Sequence, residues 1–319
     1  MDECPNSTVT ELYIVAFSTY EEGQLVLFIG VLLMYLMTVT GNILIAILIC
    51  LVPQLHTPMY FFLCNLSVAD IAYVSSTLPK LLSIFVTKDN RMSFPACIIQ
   101  VLWFTLSVIS DIFTLTSMSY DRYVAVCKPL QYHLIMNRRM CIIMAALSWL
   151  ISAVNSQMYA ILTSMLSFCS SHKIDHFFCD IKSLYTITTS DTTSREILML
   201  FDDIFLAFLP FSLTIISYVY IISTIVKIHS SGGRFKAFSS CTSHLTTVIL
   251  FYGPVIFLYV KPQSEHDKEQ DKMLSLLYMA VVPMLNPFVY SLRNKEVLGA
   301  IRKITRIKRQ LLSMQSFEK

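Results

Sequence analysis

Apolar residues run along this chain in long blocks rather than in alternation. Blocks near residues 25–50, 57–79, 96–127, 140–162, 196–227, 237–260 and 272–292 each reach the length of a bilayer-crossing helix, since a hydrocarbon core ~30 Å thick takes about 20 apolar residues. The first, from Leu25 to Leu51, holds no charged residue. The third, Cys97 to Cys127, predicts a helix ~45 Å long at ~1.5 Å per residue, so it must tilt or project from the bilayer. Pro58, Pro210, Pro254, Pro283 and Pro287 lie in or at the ends of blocks, where neighbouring helices can satisfy the freed carbonyls. After the seventh block, Leu298, Ile301, Ile304, Ile307 and Leu311 recur at helical spacing with Arg302, Lys303, Arg306 and Arg309 between them. That pattern predicts an amphipathic helix on an anionic membrane surface; a disordered basic tail is the competing reading. The fold class expected is an all-α membrane protein, a seven-transmembrane helix bundle with a short amphipathic eighth helix. The expected division is an extracellular segment 1–23, a transmembrane domain 24–292 and a cytoplasmic helix and tail 293–319.

Composition agrees with the pattern. Of 319 residues, 55% are hydrophobic and 14% charged, against about 25% charged in soluble domains, and the mean hydropathy is +0.62. Seven spans and short loops leave no room for a soluble catalytic domain. A net charge of +3 gives no reason to expect a nucleic-acid partner. Asp2 and Glu3 stand where a cleavable signal peptide would be basic, so the first span is expected to act as its own insertion signal. The segment before residue 24 carries Asp2, Glu3, Glu11, Glu21 and Glu22 and no Lys or Arg. With the N-terminus outside, most basic residues fall on inner segments, among them Arg122, Lys128, Arg138, Arg139, Lys227, Arg234, Lys236 and Arg293. The positive-inside rule then puts the C-terminus inside. Asn6-Ser7-Thr8 fits an outward glycosylation acceptor at Asn6, whereas Asn65-Leu66-Ser67 lies within a span and should stay unmodified.

Several motifs fall at fixed places on these spans. Asn42 and Asp70 occupy the first two, Asp121-Arg122-Tyr123 ends the third, and Trp149 sits in the fourth. Pro210 and Tyr218 lie in the fifth, and Asn286-Pro287-Phe288-Val289-Tyr290 ends the seventh. Longer runs accompany them: Leu55 to Leu63, Met118 to Cys127, Lys236 to Cys241 and Pro283 to Pro287. This set resembles rhodopsin-like G-protein-coupled receptors, and the longer runs resemble the odorant receptors among them, over nearly the whole chain.

The resemblance implies a ligand-operated switch in the plasma membrane, not an enzyme. A small-molecule odorant would bind between the third, fifth, sixth and seventh helices. The inner end of the sixth helix would then move outward to admit a stimulatory-type heterotrimeric G protein. The switch residues expected are Asp121, Arg122, Tyr123, Tyr218, Asn286, Pro287 and Tyr290. Taken alone, Arg122 also reads as an arginine snorkelling at the membrane boundary. The pocket residues expected are Phe104, Thr105, Val108, Ile109, Asp202, Leu206, Tyr252, Val255, Ile256 and Tyr259; helix packing is the other role open to them. Their lining favours a small, mostly apolar molecule with one or two polar atoms, such as an alcohol, aldehyde, ketone or ester. Asp202 and Asp203 point ~100° apart on a helix and cannot face one pocket together. Solvated at the headgroup level they would leave that preference intact; with either turned inward, amines become the favoured class.

Asp70 and Asp111 are acids at bilayer depth, where a charge is costly and usually functional. By resemblance the pair holds a sodium ion, although Asp111 stands where odorant receptors usually carry Glu. A hydrogen-bonded network without an ion is the equal alternative. The resemblance also pairs Cys97 with Cys179, and leaves Cys169 without its usual loop partner because Thr189 stands at that position. A Cys4–Cys169 bridge or a free Cys169 thiol follows. Cys169, His172, His176 and Cys179 have a metal-like spacing, which a bridged Cys179 would break. Two rival classes remain in view: a receptor for a non-odorant small molecule such as an amine, and a membrane transporter, for which no internal repeat is found.

Overall fold

The computed structural model describes residues 10–17, 21–168, 172–260 and 268–292, together with 297 and 299. Seven long helices dominate: α1 (Glu21–Leu51), α2 (Pro58–Thr87), α3 (Phe94–Cys127), α4 (Arg138–Ser164), α5 (Thr193–Val226), α6 (Ser231–Val260) and α7 (Lys268–Leu292). They close into a bundle in which α1 packs on α2 and α7, α3 touches α2, α4, α5 and α6, and α6 bridges α5 to α7. Six are long and apolar enough to cross a membrane by length and composition. The other, α6, begins with the polar stretch Ser231 to His244 before turning apolar.

The bundle is apolar outside and polar inside. Leu33, Leu44, Leu150, Val154, Ile216 and Ile249 are exposed, while Asn42, Asp70, Asp111, Ser152, Thr214 and Asn286 are buried. This is the arrangement lipid demands, because a polar side chain facing hydrocarbon finds no partner there. Polar contacts tie helices at depth: Trp149 Nε1 donates to Asn65 Oδ1 at 2.9 Å, joining α4 to α2, and Asn42 Nδ2 donates to the Pro283 carbonyl at 3.1 Å, joining α1 to α7. Beside the latter, a Cβ on Gly41 would stand 3.2 Å from the ring of Pro287. Gly41 therefore sets how closely α1 approaches the bend-prone end of α7.

Two helices differ from the sequence expectation. Helix α2 continues through Pro79 to Thr87, although its apolar block was expected to end there. A membrane helix tolerates the missing N–H, and the left-handed Lys88, with φ 57°, closes it instead. Helix α6 starts at Ser231 rather than near 237, because polar residues outside the apolar block carry on the helix.

One end of the bundle is capped by a small sheet of β1 (Glu11–Ile14), β2 (Arg91–Ser93) and β3 (Lys173–Ile174), in the order β2-β1-β3. Strand β1 runs antiparallel to β2 and parallel to β3. A disulfide joins Cys97, at the start of α3, to Cys179 in the loop that follows β3, with Cα atoms 5.5 Å apart. Gln100 holds the same loop: its Oε1 accepts from the Cys179 N–H at 2.8 Å and its Nε2 donates to the Ser76 carbonyl at 2.7 Å. Lys272 at the head of α7 completes the cap, its Nζ lying 2.8 Å from Asp175 and 2.7 Å from Glu269. The expected amphipathic helix, Asn6 and Cys4 lie outside the described residues.

Candidate functional site

At the end of α3 away from the cap, Asp121 is fully buried and holds three donors. Arg122 approaches Oδ2 with Nη2 at 2.6 Å and Nε at 3.0 Å. Tyr132, on the short helix Tyr132–Ile135 that follows α3, donates its hydroxyl to Oδ1 at 2.8 Å. The pairing with Asp121 keeps the guanidinium folded back along α3. Burial and the Asp121 charge both push the Tyr132 phenol above its ordinary range, so it stays a donor at physiological pH. Across the helix interface, Tyr218 of α5 stands 2.7 Å from Nδ1 of the fully buried His244 on α6, with the two rings stacked. Arg122 lies within electrostatic reach of Tyr218, Cys241 and His244. The structure thus brings Asp121, Arg122 and Tyr218 to one junction of α3, α5 and α6. Tyr123 flanks it, its ring packed on Tyr120 and Tyr220. Tyr290 is buried, with Thr247 of α6 beside its hydroxyl. Sequence reasoning missed Tyr132 and His244; a histidine inside a helix three residues past Cys241 was the available signal.

A second cluster lies deeper. Asn286 Nδ2 donates to Asp70 Oδ2 at 2.8 Å. Asp70 and Asp111 are both buried and close enough to feel each other's charge. Asp111 Oδ1, Asn286 Oδ1 and the Ser110 hydroxyl are buried without a hydrogen-bond partner. The unpartnered oxygens of Asp111 and Asn286, with the Asp70 carboxylate, make an acceptor-rich cluster, and that chemistry fits a small cation.

The expected ligand residues do not form one wall. Phe104 stacks between Tyr73 of α2 and Phe178 of the cap loop, at centroid distances of 5.3 and 4.8 Å. Val108 packs into the same upper core, whereas Tyr252 packs on Phe211 and Phe251 in a separate cluster at the α5–α6 interface. Thr105 and Ile109 stand at helical spacing from Thr116, whose hydroxyl reaches the Pro210 carbonyl of α5, so they share the stripe of α3 that faces α5. Leu206 is half-buried. Ile256 is 44% exposed, seven residues along α6 from the exposed Ile249 and next to the exposed Phe257. That phase puts it on the outward stripe, a correction to its place in the pocket. The side chains of Val255 and Tyr259 lie outside the described residues.

The two aspartates, whose facing the sequence leaves open, differ in their surroundings. Asp203 is exposed, but Asp202 is not left solvated at the headgroup level: its Oδ2 accepts from Asn155 Nδ2 of α4 at 3.0 Å, and the Tyr159 hydroxyl stands beside the same carboxylate. Asn155 and Tyr159 are themselves buried, so Asp202 meets them on the inner side of α5. The cause is local. Residues Asp203–Phe208 form a π-helical turn within α5, and such a turn wraps one extra residue. At ~100° per residue, the twelve positions from Asp202 to the buried Thr214 would leave the two about 120° apart; absorbing one residue brings them within about 20°. Asn155 and Tyr159, four apart on α4, were legible only as polar groups at helical spacing in an apolar run.

The metal-like spacing in the cap loop holds no site among the described residues: Cys179 is bridged, and no group of three or more His, Cys, Asp or Glu converges there. Cys169 lies outside the described residues. A groove of about 520 Å³ runs along α4, lined by Ala153, Val154, Gln157, Met158, Ile161 and Leu162. Most of that lining is apolar, and Met158 packs against the same upper core as Phe104 and Val108.

A closed ring of helices with an apolar exterior, buried acids at its centre and an arginine held at the meeting point of α3, α5 and α6 defines a seven-helix membrane receptor. A family profile described as olfactory receptor matches residues 31–308. The chain is 43% identical to olfactory receptor 1G1 of Gorilla gorilla gorilla over 93% of its own length and 95% of the relative's. It is 42% identical to olfactory receptor 5AR1 of Mus musculus, over 95% and 98%, and 43% identical to olfactory receptor 13D1 of Homo sapiens, over 97% and 89%. The chain belongs to the olfactory receptor family, multi-pass membrane receptors rather than enzymes.

Proposed function

We propose that this protein is an odorant receptor that binds a small, mostly apolar volatile ligand within its helix bundle and activates a stimulatory-type heterotrimeric G protein. The observation that carries the proposal is Arg122, a permanent cation held by Asp121 where α3 meets α5 and α6. Release of that pair, with an outward shift of α6, would free the guanidinium for a partner's carbonyls or carboxylates. Pro287 supports a two-state end of α7, because it frees a carbonyl and permits a bend. Asp70 and Asp111, with the unpartnered oxygen of Asn286 beside them, would hold a sodium ion. The protein would sit in the plasma membrane, as an odorant-sensing receptor must to meet its ligand, and the positive-inside pattern supports residues 1–23 outside, the domain 24–292 in the bilayer and 293–319 inside. In that orientation the sheet cap and its disulfide face the oxidising side.

The test is a panel of volatile compounds applied to cells expressing the chain at their surface, with cyclic AMP and ion uptake read together. A compound-dependent rise in cyclic AMP without ion uptake is expected. Ion uptake without cyclic AMP would replace the receptor reading with a transporter.

A further inference from the structure

We infer that Asp202, Asn155 and Tyr159 form the polar end of the ligand site, and that the ligand it takes is a small aliphatic amine bound as its ammonium. The inference rests on the receptor reading above and narrows it to a chemical class.

Three observations carry it. First, among the described residues no cation is seen paired with the Asp202 carboxylate, whose recorded partner is the Asn155 amide. No Lys or Arg occurs in α3 between Arg91 and Arg122, in α4 after Arg139, or in α5 between Arg195 and Lys227. Lys272, at the head of α7, is committed to Asp175 and Glu269. Second, Asn155 is 8% exposed, and its Oδ1 is buried without a hydrogen-bond partner. Its Nδ2 is fixed on Asp202; the reversed amide would set oxygen against a carboxylate oxygen, so Oδ1 remains an open acceptor beside the charge. Third, the π turn aligns Asp202 with Pro210 and Thr214, the residues through which α5 meets α3. Regular helix there would have turned the acid away from the interior.

These groups match an ammonium. It offers three N–H donors and no acceptor. The site offers the Asp202 carboxylate, Asn155 Oδ1 and the Tyr159 phenol oxygen. An alcohol brings one donor and leaves buried acceptors unpaired, which disfavours it. Thr105, Ile109 and Leu206, on the facing stripes of α3 and α5, supply a mostly apolar wall for a short alkyl chain.

The experiment applies butylamine, hexylamine, octylamine and cyclohexylamine, each beside the alcohol of the same skeleton, to cells expressing the full chain. Cyclic AMP is read and surface expression labelled. The parent should respond to at least one amine at lower concentration than to its alcohol. Asp202→Asn should weaken amine potency by roughly ten- to a hundred-fold and remove the preference for the amine over its alcohol, with no loss of alcohol potency. Asp202→Glu should restore part of the loss, and Asp203→Asn should behave as the parent. If Asp202→Asn stays inside the cell, Asn155→Ala serves in its place: the carboxylate remains, the acceptor Oδ1 and the amide donor that orients Asp202 are lost, and the amines should weaken more than the alcohols. Amine and alcohol responses that fall together would make the cluster a pin between α4 and α5 and overturn the inference. A surface-expressed parent that answers alcohols alone would also overturn it, while leaving the receptor reading intact. Silence to both series overturns the amine assignment; the receptor reading then stands or falls on the wider volatile panel.

Discussion

Tyr132→Phe isolates the contact that holds the arginine switch. The substitution removes one hydroxyl and keeps the ring packed against the inner core. What it deletes is the 2.8 Å bond to Asp121, a fully buried carboxylate. A hydrogen bond to a charged group contributes about 1.5–3 kcal/mol. If the bond exists only while Arg122 is folded back on Asp121, its loss shifts the closed–open equilibrium by roughly 10- to 150-fold. A receptor whose open state is populated at about 1% would then be open for a tenth or more of the time. Because burial and Asp121 push the phenol's pKa upward, the effect should be the same across the physiological pH range. The assay is ligand-independent cyclic AMP, normalised to surface expression. A basal signal equal to the parent's at matched expression would refute the reasoning, since the bond would then be equally strong in both states.

Two further predictions concern the acids and the cap. If Asp70 and Asp111 share a sodium ion, Asp111→Asn should abolish the sodium dependence of basal signalling and shift its level; an unchanged sodium response would assign the pair to a hydrogen-bonded network. His176, packed between Phe177 and Phe178 with its Nδ1 unpartnered, is pushed below its ordinary value of 6.5, mainly by burial and further by Lys272, against the opposing charges of Asp180 and Asp175. The undocked loop therefore binds more protons than the docked one as pH falls. The stabilisation is complete above about 6.5 and is lost as pH drops through the depressed value. Amide protection over residues 172–179, taken relative to the intrinsic exchange rate at each pH, should fall below about 6.5 in the parent and not in His176→Phe, whereas an equal fall in both would clear His176 of the effect.

Much of the fold was legible in the sequence because lipid imposes a strong rule: every span must be long, apolar and internally hydrogen-bonded. Seven blocks followed, and with them the placement of Arg122, Asp70 and Asn286. Where polar residues extend a helix, hydropathy is silent, which is why the early start of α6 escaped it. The apolar block closed at residue 79, but a proline in lipid is only a missing donor, and α2 runs on past Pro79. The site was less legible because a pocket depends on phase. A single π turn reorients everything before Phe208, so a regular-helix count cannot say which of Asp202 and Asp203 faces inward. Ile256 failed for a related reason: its position along α6 suited a pocket, but its angular phase matched Ile249 on the outer stripe. Tyr132 and His244 act through neighbours distant in sequence, and only the folded junction shows them.

The central claim, that Arg122 is the cation through which this receptor signals, is tested most directly by Arg122→Ala. Surface labelling and ligand-dependent cyclic AMP are measured together, using a compound that activates the parent. Surface expression close to the parent's and a cyclic AMP response reduced to background are expected; a well-expressed Arg122→Ala receptor that signals normally would remove Arg122 from the switch.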